Sequence, residues 1–306
     1  MAETTATATR ERLVLRARTL AAVRAFFDGR GSVEVETPLL LRAPAPERNI
    51  VALRVEGDRW LAASPELQMK RLVAAGSGPI HQLGRSFRGG ELGRHHNPEF
   101  TIVEWYRPGV DYRALMDETE ALVRFVAGRV PTPSGARRRP RLDLSQPFER
   151  LRVADLFERF AGWRPGGDVD DDSFCRALVD RVEPALPPDR GVLVFDYPAS
   201  QASLARLCPD DPELAERFEL YLGGLEVANG FTELSDAGEQ RARFEKERAA
   251  IAAQGRAPYP LDERFLESLP DLGTCAGVAL GLDRLLMALT GSDDLGEVTA
   301  LRWDEA

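Results

Sequence analysis

In the stretch FRGGELGRHHNPEFTIVEWY (87–106), an arginine, a glycine pair, two histidines and a buried-looking glutamate interrupt what otherwise reads as two strands. Arg88 offers a planar, permanently charged fork suited to a phosphate or a carboxylate. Gly89 and Gly90 permit close backbone approach. His96 and Asn97 follow within reach of the same group. Further on, an extended chain puts Phe100, Ile102, Glu104 and Tyr106 on one face. A carboxylate on a mostly apolar strand needs a cation or donors, and a lysine-like ammonium is one such cation. Taken alone, the same residues also suit an edge strand with a solvent-facing glutamate, and Arg-Gly-Gly suits a surface loop.

A second candidate is FELYLGGLEVANG (218–230). If Gly223-Gly224 form a two-residue turn, Leu222 pairs with Leu225 and Tyr221 with Glu226. Glu219 then shares a face with Glu226 as a diagonal neighbour. Two carboxylates that close repel unless a cation lies between them, and Mg²⁺ carrying nucleotide phosphates fits. A solvated acidic face fits as well. A third candidate is GVALGLDR (277–284). Gly277, Ala279 and Gly281 make a small-residue face on which something flat can lie, and Arg284 opens the helix that follows. Tight helix-on-strand packing would use the same residues. The chain has no GxxxxGK[ST], GxGxxG, GxSxG or HExxH motif. If a nucleotide binds, arginines and a carboxylate-held Mg²⁺ replace a phosphate loop.

These residues need elements to hold them. Residues 10–27 have near-helical apolar spacing at Leu13, Ala17, Leu20 and Phe27, with Arg16 and Arg24 facing water, and Asp28-Gly29 ends the helix. VEVETPLL (33–40) alternates like a strand up to Pro38. SPELQMKRLVAAG (64–76) starts a helix, with Ser64 as cap and Pro65 at its first position. Strands are expected at 80–88 and 98–106, a helix at 113–130, and mostly helical structure at 151–215. Strands return at 218–234, a charged helix follows, and a last strand runs into a helix at 274–291. Hairpins and helices that do not alternate regularly predict an α+β fold with a mainly antiparallel sheet.

The chain has 306 residues, of which 43% are hydrophobic and 29% charged, ordinary for a globular protein. A net charge of -9 argues against broad nucleic-acid binding, which needs a basic surface. Three cysteines (Cys175, Cys208 and Cys275) lie far apart, without the pairing of a zinc site or a disulfide framework. The N-terminal segment lacks the apolar run of a signal peptide, and no stretch is long enough to span a membrane. A cytoplasmic, membrane-free protein is expected.

The combination and order of these motifs resemble the class II aminoacyl-tRNA synthetases, and within them the catalytic domain of lysyl-tRNA synthetase. Motif 1 matches VEVETPLL with Pro38, motif 2 matches 87–106, and motif 3 matches GVALGLDR. SPELQMKRL and LEVANGFTEL match two further signatures, so the likeness runs from about residue 10 to the end. Two departures stand out: the chain begins almost at the catalytic domain, without an anticodon-binding barrel, and the middle small residue of motif 3 is Ala279. Both resemble the elongation factor P–(R)-β-lysine ligase family. The expected organisation is a disordered tail at 1–9 and a class II catalytic domain at 10–306, its sheet flanked by helices, with a mostly helical insertion at about 131–215.

The resemblance implies roles by position. Arg88 would hold the α-phosphate of ATP and Arg284 the γ-phosphate. His96, Asn97, Val227 and Gly281 would contact the nucleotide. Glu91 would take the adenine contact, although Gly89-Gly90 replace the usual Asn-Glu. Glu219 and Glu226 would carry Mg²⁺. Ser64 and Glu66 would meet one substrate amine, and Glu104, Tyr106, Asn229 and Glu233 the other end. Ala279 would narrow the pocket floor and favour an amine on the β-carbon. The implied reaction activates (R)-β-lysine as an adenylate and transfers it to a lysine of elongation factor P, a tRNA-shaped partner. The arginine-rich run 137–141 is a candidate docking element for it, or a solvated loop. Motif 1 implies a homodimer, and tRNA is not the expected acceptor. The rival expectations are an α-lysine-activating lysyl-tRNA synthetase paralogue and a non-catalytic synthetase-like regulatory subunit.

Overall fold

Apolar residues from distant segments of the chain are brought together on a single large sheet. The computed structural model describes residues 10–130, 140–301 and 303. The tail 1–9, and the arginine-rich run apart from Pro140 and Arg141, lie outside the described residues.

The chain opens with α1 (Arg10–Asp28), β1 (Val33–Glu34), β2 (Leu40–Leu41), β3 (Arg54–Val55) and β4 (Arg59–Leu61). Next come α2 (Glu66–Ala74), β5 (Ile80–Phe87), β6 (Glu99–Pro108), α3 (Tyr112–Ala127) and β7 (Glu149–Arg152). The middle holds α4 (Val153–Leu156), α5 (Asp171–Ala177), β8 (Gly191–Pro198), β9 (Leu207–Cys208) and β10 (Asp211–Leu222). The last part is β11 (Leu225–Thr232), α6 (Ala237–Ala253), α7 (Glu263–Ser268), β12 (Cys275–Gly281) and α8 (Leu282–Thr290).

The main sheet runs β1-β5-β6-β12-β11-β10-β8-β7, with β9 added beside β10. Its two outermost pairs are parallel and all the others antiparallel. A small sheet, β2-β4-β3, lies apart. The sheet has two apolar faces. On one, Val103, Trp105, Phe218, Leu220, Val278 and Leu280 pack under α1, α3 and α8. Large side chains buried there each contribute roughly 1.5–3 kcal/mol. The other face is covered only partly, by Leu67, Met69 and Val73 of α2, Phe244 of α6 and Phe265 of α7. The uncovered remainder of that face carries the polar residues singled out above.

Three expectations need correction. First, α1 turns a different face inward: Leu15, Thr19, Ala22, Val23, Phe26 and Phe27 are buried, whereas Leu13 and Ala17 are exposed. Arg16 causes this, because its guanidinium does not face water. It pairs with Asp283 Oδ1 at 2.5 Å and donates to Thr101 Oγ1 at 2.7 Å, drawing that side of the helix onto the sheet. Second, the motif 1 segment is not one strand: β1 is two residues long, and Pro38 separates it from β2. Third, residues 151–215 are helical only as far as Ala185, apart from one short turn at Ala199–Gln201. Within them β8 is buried along its whole length, and β10 begins at Asp211. Val192, Val194, Phe195 and Tyr197 carry no period-two polarity because β8 is covered on both faces.

Candidate active site

Cross-strand register puts the key side chains in one row. Gln82 pairs with Glu104, Glu104 with Ala279, Ala279 with Asn229, and Asn229 with Glu219. Directly opposed residues share a face, so all five point the same way. The next row is Ile80, Tyr106, Gly277, Phe231 and Arg217.

Glu226 joins this face through a β-bulge. Tyr221 pairs with Glu226 but Leu220 with Ala228, which leaves Val227 as the extra residue. In a regular strand Glu226 and Asn229, three apart, would point to opposite sides. The extra residue re-aims Glu226. The turn itself is Gly223-Gly224, with φ of 60° and 76°, the left-handed pair that a two-residue hairpin requires.

Two adjoining cavities open on this face. The larger, about 710 Å³, is lined by Arg88, Glu91, His96, Asn97, Glu226, Val227, Gly281 and Arg284 among others. The smaller, about 110 Å³, is lined by Ser64, Glu66, Glu104, Tyr106 and Gly277. Arg88, Asn229, Ala279 and Glu47 line both and mark the junction.

The larger cavity holds two arginines suited to phosphate oxygens, Arg88 and Arg284. Arg88 Nε is buried without a hydrogen-bond partner, and the guanidinium lies 5.1 Å from the Phe100 ring. A buried donor without a partner is costly, so the position suits an anionic oxygen. Arg284 Nη1 donates to the Glu226 carbonyl at 3.0 Å and to its carboxylate at 3.2 Å. Arg284 Nη2 meets His96 Nε2 at 2.5 Å. Arginine only donates, so Nε2 accepts and His96 is neutral, with its proton on Nδ1. Burial, then Arg284, lowers the His96 pKa, which agrees. Gly89 and Gly90 serve the loop itself. A side chain at Gly89 would press on Leu53 at 3.0 Å, and Gly90 has φ 78°. The close approach expected there is to the chain's own 51–53 segment.

The smaller cavity is acidic. Tyr106 Oη donates to Glu104 Oε1 at 2.6 Å and Ser64 Oγ to Oε2 at 2.7 Å. Burial, and then Glu66, still raises Glu104 to about 7. Ser64 Oγ also accepts from the Glu66 amide at 3.1 Å, but Pro65 rather than Ser64 takes the N-cap position, and the helix begins at Glu66.

Two expected site residues are placed differently. Glu233 is 0% exposed at its side chain, lines neither cavity, and its carboxylate pairs with Lys70. Lys70 Nζ also meets Glu66 Oε1 at 2.6 Å. Burial opposes the charge on Lys70, but Glu233 and Glu66 outweigh it and hold its pKa above the ordinary range. The protein therefore carries an internal ammonium where one was expected from the substrate. Asn229 is the second. Arg217 Nε donates to its Oδ1 at 3.1 Å, which fixes the amide and leaves its NH₂ as a donor. It suits a carboxylate.

The metal expectation rests on Glu219 and Glu226. Glu219 Oε1 accepts from Arg217 at 2.6 Å, and Oε2 from Tyr197 at 2.6 Å and Tyr221 at 2.8 Å. One lone pair of Oε1 stays open. Burial, then Glu219, raises Glu226, the sign of carboxylates short of a cation. The donor set fits Mg²⁺, which takes one or two carboxylates and completes its shell with phosphate oxygens and water. Among the described residues no cluster of three or more His, Cys, Asp and Glu gathers for a metal.

A family model described as class II tRNA synthetases (D, K and N) matches residues 1–302. The elongation factor P–(R)-β-lysine ligase of Pectobacterium atrosepticum is 41% identical over 333 residues, covering 100% of both chains. The protein of the same name from Klebsiella pneumoniae is 40% identical over 317 residues, 96% of this chain and 95% of its own. The one from Salmonella dublin is 39% identical with the same coverage. The chain belongs to the elongation factor P–(R)-β-lysine ligase family within the class II synthetases.

Membership accounts for the architecture, since class II synthetases build their site on an antiparallel sheet. It also covers an ATP-dependent ligase site made without a phosphate loop. Residues absent from the sequence reading matter here too. Arg217 orients Asn229, and Asp283 accepts from the Thr101 amide at 2.8 Å, pinning the start of α8 beside Arg284. Glu47 stands at the junction of the cavities. Among the described residues no helix is long and apolar enough to cross a membrane.

Proposed function

We propose that this chain uses ATP to activate (R)-β-lysine and transfers the aminoacyl group to a lysine side chain of elongation factor P. The observation that carries the reading is the junction: donors Arg88 and Asn229 lie between a nucleotide-sized cavity that holds Arg88 and Arg284 and a small acidic one. Relatives bearing that activity in their names, at about 40% identity over nearly the full length, support the choice of substrate and acceptor.

In the first step a carboxylate oxygen attacks the α-phosphorus, the bond to the β-phosphate oxygen breaks, and pyrophosphate leaves. The nucleophile is already an anion, so the task is charge placement, not proton removal. Arg88 bridges the substrate carboxylate and the α-phosphate. Asn229 donates to the carboxylate. Arg284 takes the γ-phosphate, while neutral His96, Asn97 and Glu91 border the nucleotide. Glu226 and Glu219 would hold Mg²⁺, which would neutralise phosphate charge. Glu104, with Tyr106 and Ser64 as its supports, holds the distal ammonium. In the second step the acceptor amine attacks the carbonyl carbon, AMP leaves and the amine loses a proton.

A homodimer through the motif 1 segment belongs to the same reading. Val33 is 57% exposed and Leu40 53%, apolar side chains that a partner copy would cover. The cytoplasm is the compartment proposed. The net charge of -9 gives tRNA little unspecific attraction, so it is not proposed as acceptor.

The test is amino-acid-dependent ATP–pyrophosphate exchange with (R)-β-lysine, L-α-lysine and no amino acid. Faster exchange with (R)-β-lysine is expected. A preference for L-α-lysine would replace the reading with an α-lysine-activating enzyme.

A further inference from the structure

Glu47 has no role in the site as described so far, yet it lines both cavities. It lies on the irregular segment between β2 and β3. Arg48 straps that segment down: its backbone amide donates to Glu247 Oε2 at 2.8 Å, its Nε to Glu247 Oε1 at 2.9 Å, and its Nη1 to Asp171 Oδ2 at 3.2 Å. The Ile50 amide donates to the Glu47 carbonyl at 3.2 Å, closing a turn around the residue. The backbone is thus fixed from Glu47 onward, but the Glu47 carboxylate is not. Among the described residues no hydrogen-bond donor or salt-bridge partner meets it, and Arg88 and Arg217 act on it only through space. The other acids of the smaller cavity are engaged: Glu104 by Tyr106 and Ser64, Glu66 by Lys70. Burial, followed by repulsion from Glu66, raises Glu47 to about 7.

The position decides which group it can take. Arg88 and Asn229 fix the substrate carboxylate at the junction, and Glu104 fixes the far ammonium. The second ammonium of a 3,6-diamino acid lies two carbons from the carboxyl carbon and must therefore sit beside the junction, where Glu47 is the carboxylate lining both cavities. We propose that Glu47 is a specificity-determining residue that receives the C3 ammonium of the substrate. The assignment rests on the function proposed above.

The test is calorimetric binding of (R)-β-lysine and of 6-aminohexanoic acid, which lacks the C3 amine, to the wild-type protein and to Glu47→Gln. Glutamine keeps the shape and removes the charge. The expected result is a loss of roughly tenfold to hundredfold in affinity for (R)-β-lysine, the usual scale for a charged hydrogen bond. Binding of 6-aminohexanoic acid should stay within about twofold, since it makes no contact with this group. Equal weakening of both ligands would show a merely structural role and overturn the proposal, as would no weakening of either. A wild type that binds (R)-β-lysine no better than 6-aminohexanoic acid, and shows no (R)-β-lysine-dependent exchange, would overturn the function itself. Wild-type exchange with an unaffected variant would overturn only Glu47.

Discussion

Arg217 Nε donates to Asn229 Oδ1 at 3.1 Å, and this one bond decides which end of the amide the cavity sees. An arginine cannot accept, so the bonded atom is the oxygen and the NH₂ is left to donate. Asn229→Asp would therefore put a carboxylate against the substrate's own. The expected loss is about 2–3 kcal/mol, roughly a hundredfold rise in KM for the amino acid, with KM for ATP nearly unchanged. Pyrophosphate exchange at varied amino acid and varied ATP separates the two. An equal rise in both constants would count against the orientation argued here.

Gly277 is a clearance, not a hinge. A Cβ there would meet the Tyr106 ring and stand 2.6 Å from Glu233 Oε1, both fully buried. Gly277→Ala should destabilise the fold by about 1–3 kcal/mol, as overpacking does, and weaken amino acid binding by shifting Tyr106 off Glu104. Denaturant unfolding gives the first quantity and ligand titration the second. A variant as stable as wild type would show that the strands spread more easily than their packing suggests.

Ala279 pairs with Glu104 on one side and Asn229 on the other, and lines both cavities. Its methyl therefore sits between the carboxylate and ammonium subsites. Removing one methyl changes discrimination by roughly 1–3 kcal/mol. Ala279→Gly should lower the preference for (R)-β-lysine over L-α-lysine by at least about tenfold, while the fold survives a cost of about 0.5–1 kcal/mol. An unchanged exchange ratio would reduce the methyl to packing.

The acids of the smaller cavity make binding pH-dependent. Glu104 and Glu47 are both raised to about 7, burial being the first cause in each. A diammonium ligand needs them ionised. Its affinity should rise from pH 6 to pH 8, with protons released on binding, as calorimetry in buffers of different ionisation enthalpy would reveal. The ligand-free protein should behave oppositely. A carboxyl whose folded pKa lies above its unfolded value lends stability that is complete below about pH 4.5 and lost as pH rises through about 7. A thermal midpoint that climbed over that range would contradict the assignment.

The chemistry-bearing residues were legible because they lie on regular strands, where period two fixes the face: Glu104 with Tyr106, and Ala279 between Gly277 and Gly281. The hairpin at Gly223-Gly224 was legible from its turn residues. What escaped was non-periodic or non-local. Nothing around Glu47 repeats, since its segment is held by Arg48 reaching α5 and α6. The inward side of α1 depends on Asp283, which lies 267 residues away. Lys70 reads as a surface lysine on a short helix until Glu233, from a distant strand, arrives beside it. Glu233 was assigned to the substrate for the same reason: sequence shows a carboxylate's charge but not which cation claims it. The strands within 151–215 were missed because a strand covered on both sides shows no alternation.

The unpaired Val227 makes the site depend on an odd-or-even count. Between the glycine turn and Asn229, parity alone decides whether Glu226 looks toward the cavity or away from it. Drawing Val227 into regular pairing, with no change of sequence, would leave a well-formed hairpin whose chemistry is split between two sides of a sheet. Such a protein would resemble its parent in melting and in spectroscopy while being blind to the nucleotide. When relatives are aligned or chimeras are joined across this strand, a gap of one residue at 227 therefore keeps Glu226 and Asn229 on one side, whereas a strand of unchanged length without the bulge does not.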